Sequence, residues 1–271
     1  MSLLTWIIIF SLLGGVLSVL VAATFLLLPG QMRKTLVPHL VSFAIGSLLG
    51  AAFLGLLPHA LMGPGVEDFH KIFLAVLLGL LTFFLLEKMV LWRHCHSAHC
   101  EAHAPDVHDH DHDDDHDHDK QNKAAAGWMI LLGDGLHNFV DGVLIAAAFL
   151  TDTHLGIVTA LAIAAHEIPQ EVGDFVVLLH SGFSRKKALL FNVLTSLTTI
   201  VGALLAYWSL SDMQHVLPYV LAVAASSFIY IAVADLIPGL HKRAEVSATA
   251  QQIVLIGAGV LLIYVTHSTL H

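Results

Sequence analysis

Charge is scarce in this sequence. Asp, Glu, Lys and Arg together make up 12% of the 271 residues, about half of the roughly 25% in an ordinary soluble domain. Cysteine is almost missing: the two present, Cys95 and Cys100, sit in one hydrophilic segment and give no disulfide framework. Basic residues are few, 12 against 21 acidic ones, for a net charge of −9. That acidity is local, because nine of the 21 acidic residues lie between Glu101 and Asp119. No nucleic-acid partner is expected, and no separate soluble domain fits in what the apolar stretches leave over.

What remains is apolar. Hydrophobic residues make up 56% of the chain, in stretches long enough to cross a bilayer, for which roughly 20 residues suffice. Eight such stretches fall at 4–29, 36–60, 70–92, 126–150, 155–180, 187–210, 215–240 and 250–268. Backbone polar groups in lipid must be satisfied internally, so the stretches are read as helices. The expected fold is all-α: a polytopic bundle of eight transmembrane helices in one membrane domain, with helices 1–3 in 1–92 and helices 4–8 in 126–271. The first stretch lacks a basic leader and is too long for the apolar core of a signal peptide.

Lys and Arg collect in cytoplasmic loops. Arg33, Lys34, Lys88, Arg93, Lys120, Lys123, Arg185, Lys186, Lys187, Lys242 and Arg243 all fall on one side of the predicted bundle, and only Lys71 on the other. Both termini are therefore expected outside. The 93–125 loop is then cytoplasmic. It holds nine of the 20 histidines, alternating with aspartates. Such a tract cannot bury a core and is expected to be disordered, binding metal weakly at many positions.

The apolar stretches are interrupted by acids. In the fourth, Asp134, His137, Asn138 and Asp141 are spaced three and four apart, which puts them on one helix face. In the fifth, His166, Glu167, Gln170, Glu171 and Asp174 do the same. A short link makes the two helices antiparallel neighbours, and both clusters fall near the bilayer midplane. An ionised Asp at a helix centre costs roughly 2.5–3.5 kcal/mol on the mildest scale. Five acids stand there, and every Lys and Arg lies at a helix end or in a loop. A buried ion pair is thus excluded. Neutralisation must come from a cation, or from protons in a water-lined cavity.

The ligand types select among cations. Imidazole with carboxylate suits zinc and neighbouring first-row metals, whereas calcium and magnesium sites are built from oxygen alone. The expected metal ligands are His137, Asn138, Asp141, His166, Glu167, Gln170 and Glu171, arranged for two adjacent positions with Asp141 and Gln170 bridging. Pro169 frees the Ala165 carbonyl in the same turn. Zinc is expected first, with cadmium, iron or manganese as secondary substrates. No cofactor beyond the carried ion and no catalysis are expected.

At His137-Asn138-Phe139-Val140-Asp141-Gly142 and His166-Glu167-Ile168-Pro169-Gln170-Glu171-Val172-Gly173-Asp174 the sequence resembles the ZIP (Zrt-, Irt-like) family of metal transporters. The resemblance extends over the whole chain: eight helices, both termini outside and a His-rich loop after the third. The second motif is similar to the signature His-Glu-x-Pro-His-Glu-x-Gly-Asp of one subfamily. Gln170 stands in place of its second His, and no acid lies between Ala188 and Leu210, where some bacterial relatives carry a Glu. The resemblance implies metal movement toward the cytoplasm, commonly by a homodimer. Short loops suggest a bacterial inner membrane.

Two rivals use some of the same residues. An exporter of the cation diffusion facilitator type also has His-x-x-x-Asp in a helix, as in His137 to Asp141, but has typically six helices and a cytoplasmic C-terminal domain. An intramembrane metallohydrolase would read His166-Glu167-Ile168-Pro169-Gln170 as a His-Glu-x-x-His helix. It lacks the second His, and Glu171 adds an anion where such a site needs an open water position.

Overall fold

Long apolar segments with few breakers form helical rods, and the rods end where proline, glycine or polar links begin. The computed structural model describes the backbone of residues 1–94, 116–241 and 245–270 and, outside 90–126 and 270, their side chains. Among the described residues all regular structure is helical. The rods are α1 Leu3–Phe25, α2 Gly30–Met62, α3 Phe69–His94, α4 His116–Thr151, α5 Thr153–His180, α6 Arg185–Leu210, α7 Leu217–Leu240 and α8 Val246–Leu270. Seven of them are long and apolar enough to cross a membrane, judged by length and composition. By the same measure α5 is too polar, because His166, Glu167, Gln170, Glu171 and Asp174 occupy its second half.

Two boundaries differ from the sequence expectation by more than four residues. α2 starts at Gly30 rather than 36, so Arg33 and Lys34 belong to its first turns. α4 starts at His116 rather than 126. In both cases a polar stretch is helical beyond the apolar window that marks a span. The central part of the His/Asp-rich loop, 95–115, lies outside the described residues.

Three rods contain a widened π segment: Leu13–Leu17 in α1, Ala51–Leu56 in α2 and Ile231–Leu236 in α7. The last two are followed within two residues by Pro58 and Pro238. Proline has no N–H and its ring crowds the preceding turn, and a wider turn accommodates that loss. The link between α4 and α5 is short because Asp152 caps α5, accepting from the N–H groups of His154 and Leu155 at 2.8 and 3.0 Å. Partial burial pushes its carboxyl up, but those two donors outweigh it and hold Asp152 below the usual carboxylate range.

Glycines set the closest rod contacts. A Cβ on Gly142 would overlap the Thr199 carbonyl, and one on Gly202 the Phe139 carbonyl, so α4 and α6 touch backbone to backbone. Gly46 and Gly259 do the same for α2 and α8, against Ile256 and Phe43. Small residues allow such approach where lipid supplies no hydrophobic drive between helices. The hydroxyl of Thr198 also donates to the Gly135 carbonyl at 2.7 Å, tying α6 to α4.

The bundle has two unlike ends. At one, Arg33 and Arg185 line a common pocket with Leu26 and Leu179; this is called the basic end. At the opposite end the His59 and His267 rings meet edge to face, and Gly63 packs on Pro218. The main apolar core, including Leu56, Ile145, Phe149, Leu155, Ile163 and Phe228, fills the half near this second end. A smaller cluster, around Leu131, Phe175 and Leu178, lies toward the basic end.

Gly142→Val should wedge α4 from α6 and destabilise the detergent-solubilised protein by about 1–3 kcal/mol, the usual cost of overpacking. Gly257→Ala, where nothing lies within 4 Å of the new methyl, should change stability by less than about 0.5 kcal/mol. Thermal melts of both variants check the contrast.

Candidate metal centre

The antiparallel packing of α4 on α5 brings two polar stripes face to face. One ligand atom from each of His137, Asp141, His166 and Glu167 falls within 4.8 Å of all the others, and no other His, Cys, Asp or Glu group does so among the described residues. His137 and Asp141 are one turn apart on α4. His166 and Glu167 are adjacent on α5, at the point where Pro169 frees the Ala165 carbonyl. Asp141, His166 and Glu167 are buried, and only His137 keeps partial access.

The separations match a definite coordination geometry. The two imidazole Nε2 atoms are 3.2 Å apart. His137 Nε2 lies 3.3 Å from Glu167 Oε1 and 3.8 Å from Asp141 Oδ2. His166 Nε2 lies 3.4 Å from Asp141 Oδ2 and 3.6 Å from Glu167 Oε1. Zinc–ligand bonds of about 2.0–2.2 Å imply tetrahedron edges of about 3.3–3.6 Å. All five separations fall on or within a few tenths of an ångström of that range. The rings stand nearly perpendicular, at 83°.

Tautomer and charge agree with this. His166 Nδ1 lies 3.2 Å from the Ala162 carbonyl. That oxygen can only accept, so the proton is assigned to Nδ1, and Nε2 presents its lone pair to the centre, as in metal-bound histidines. Both oxygens of Asp141 and both of Glu167 make no hydrogen bond. Their ion partners within the bundle are the two imidazoles. Buried carboxylates without donors are rare, and a divalent cation bound by one oxygen of each would balance the charge of both at once.

The remaining expected ligands are placed differently. Asn138 is buried but committed elsewhere. Its amide N–H group donates to Asp134 Oδ1 at 2.9 Å, and its Oδ1 accepts from Thr199 at 2.9 Å. Gln170 lines a cavity together with His137 and His166. Glu171 is fully buried one turn beyond Glu167, with both oxygens unpartnered. Sequence reasoning passed over Thr199 and Asn192 of α6. Their only signal was polarity on an otherwise apolar helix, which is common and seldom informative.

The cavity holds about 500 Å³ and is lined by His137, His166, Gln170, Asp134, Asp174 and Asp235, among others. On each of α4, α5 and α7 its lining residues run from the centre toward the basic end. On the other side the centre meets packed apolar side chains: Ile145, Ile163 and Phe228 have at most 1% of their surface exposed. The centre is thus open to one end of the bundle and sealed from the other.

A family profile described as ZIP Zinc transporter matches residues 2–267. Zinc transporter ZIP13 of Pongo abelii is 31% identical over 236 residues, covering 83% of this chain and 65% of that protein. Zinc transporter ZIP13 of Mus musculus is 31% identical over 249 residues, with 83% and 68% covered. Zinc transporter foi of Drosophila melanogaster is 38% identical over 149 residues, 52% of this chain and 20% of its own length. The chain therefore spans about two thirds of the length of these ZIP13 proteins. All three relatives are named as transporters and not as enzymes. All three are animal proteins, so the comparisons lend no support to the bacterial inner membrane suggested by the short loops.

His166→Ala should weaken the tightest zinc binding by more than about a hundredfold, since loss of an outer-shell partner alone costs about 10–100-fold. Because imidazoles bind metal only when neutral, protons compete with zinc for them, and zinc affinity should fall as pH is lowered. Competition with a calibrated chelator, repeated across pH, measures both effects.

Proposed function

The chain belongs to the ZIP zinc transporter family, and we propose that it carries zinc through the centre formed by His137, Asp141, His166 and Glu167, toward the cytoplasm. The observation that carries this reading is the set of four donors spaced as a zinc tetrahedron, deep in a membrane protein, with two carboxylates that have no lysine or arginine partner among the described residues. Such groups persist in a bilayer only where they serve a cation or proton path.

Direction comes from two features taken together. The positive-inside rule assigns the basic end to the cytoplasm, and the cavity at the centre opens toward that end. In this reading α5 is the eighth span, hidden from hydropathy by its own ligands, and both termini lie outside. The conformation is the one that releases metal inward. Loading from the other side requires the Ile145, Ile163 and Phe228 seal to part, and the two openings would alternate around a fixed centre. The His/Asp-rich loop, on the receiving side, would buffer the arriving ion. Mixed nitrogen and oxygen donors would also admit cadmium, iron or manganese. A homodimer in the membrane fits the outward apolar faces of α3 and α8, where most of the long side chains are exposed.

The exporter reading finds no support in the family match. The hydrolase reading fails on chemistry as well, because four protein donors leave no open position for an activated water.

Zinc flux into proteoliposomes tests the proposal. A His137→Ala, His166→Ala double variant should insert normally and lose nearly all flux; full flux would mean that the ion crosses elsewhere. Gln170→His should tighten zinc binding at the mouth of the centre and slow release, because imidazole is a better zinc ligand than an amide.

A further inference from the structure

At the basic end a pocket of about 330 Å³ lies where residues of α1, α2, α5 and α6 converge. Most of its wall is apolar, including Leu26 and Leu27 just past α1 and Phe175 and Leu179 of α5, but Arg33 of α2 and Arg185 of α6 also line it. Two chain reversals bring these arginines to one place. Arg33 is in the first turn of α2, which begins at Gly30 after Pro29. α5 ends in a reversal at Gly182, whose φ of +86° suits glycine. There the N–H groups of Gly182 and Phe183 donate to the Leu179 and Leu178 carbonyls at 3.1 and 3.0 Å, the pairing that closes a helix end. Ser184 then caps α6, and Arg185 is its first residue.

The two guanidiniums stand there without anions. Among the described residues neither has a carboxylate partner, and Arg33 Nε is buried and makes no hydrogen bond. Asp174, next to Phe175 in sequence, lines the other cavity, with His137. Like charges that share a pocket repel, so the arrangement gains from an anion that both arginines reach. Guanidinium is weakly hydrated, and its forked N–H groups match the oxygens of a phosphate. The wall sets a second condition. Leucine and phenylalanine surface offers nothing to a hydrated free phosphate, whereas an amphiphile covers it. Height in the bundle agrees. The span of α1 ends at Phe25 and that of α6 begins at Arg185, so the pocket stands where the rods leave the hydrocarbon and lipid headgroups begin.

We propose that this pocket binds the headgroup of an anionic phospholipid, with the phosphate held by Arg33 and Arg185 and the glycerol against the apolar wall. The pocket takes a phosphoglycerol group and not a whole lipid. The acyl chains lie outside it, over Leu27, which is 80% exposed, and over Leu20 and Leu17 further along α1, also exposed. A lipid seated there ties the α1–α2 link to the α5–α6 link. Phe175 is about two turns beyond Glu167 on α5, so the lipid braces the helix that supplies half of the metal centre. Its assignment to the cytoplasmic leaflet, the one richer in anionic lipid, rests on the orientation proposed above; the binding itself does not.

Native mass spectrometry of the full chain in a neutral detergent, titrated with dioleoylphosphatidylglycerol in the absence of zinc, tests this. Dioleoylphosphatidylcholine, with the same chains and a zwitterionic headgroup, is the comparison. The expected result is one phosphatidylglycerol per chain, held about tenfold or more tighter than phosphatidylcholine. Arg33→Gln and Arg185→Gln should each weaken it by about tenfold, the loss of a charge-assisted hydrogen bond. A Lys186→Gln, Lys187→Gln variant removes two charges from the same end but none from the pocket wall. It should change binding by less than about threefold, because exposed charges out of contact are screened. Leu179→Trp fills the pocket while keeping both arginines, and should exclude the lipid; it keeps the test decisive if an arginine variant folds poorly. Equal affinity for the two lipids would overturn the proposal. So would a preference lost as fully in the lysine variant as in the arginine variants, which would mean diffuse surface charge. Displacement of the lipid by an equal concentration of inorganic phosphate would also overturn it, in favour of a site for soluble anions.

Discussion

Two buried carboxylates, Asp141 and Glu167, face each other across the α4–α5 contact with no guanidinium or ammonium beside them among the described residues. Everything near them can be understood as accommodation of that charge. In a medium of low dielectric, like charges within a few ångströms of each other repel strongly. The two imidazoles relieve this only in part, and a divalent ion relieves it fully. The centre is therefore incomplete as a protein structure and complete as a metal complex. A resident ion pair would have stabilised the bundle equally well but would have blocked the path.

The rest of the fold holds this charge in place while keeping it reachable. Gly142 and Gly202 let α4 and α6 meet at backbone distance, and Thr199 fixes Asn138, which in turn fixes Asp134. The α4 stripe thus has a rigid back. Pro169 stands in the turn that carries His166 and Glu167, and the π segment of α7, which lines the cavity at Ile231, Asp235 and Leu236, relaxes the wall opposite. Rigid support behind the ligands and irregular backbone in front of them is what a site that must both select and release an ion requires.

Much of this was legible in the sequence. The spacing of Asp134, His137 and Asp141 implied one face, and the pairing with His166 and Glu167 followed from a short antiparallel link. Periodicity could not show which polar residues on a shared face actually converge. Asn138 lies on the ligand stripe, yet its amide is claimed by a threonine 61 positions away in sequence. Gln170 and Glu171 follow the same helical rule but point to the cavity and to α6. Asn192 was invisible because one asparagine in an apolar helix carries no pattern. The starts of α2 and α4 were missed for a related reason: hydropathy marks where a helix enters lipid, not where it begins. Hydropathy alone also underrates α5, whose function makes it polar.

The account stands on the position of the ion. Crystals of the protein grown with zinc, with diffraction measured on both sides of the zinc absorption edge, would locate it directly. The predicted result is an anomalous peak between α4 and α5, about 2.0–2.2 Å from the Nε2 atoms of His137 and His166 and from one oxygen each of Asp141 and Glu167. Zinc at other positions only, with those four side chains unchanged and unoccupied, would contradict it.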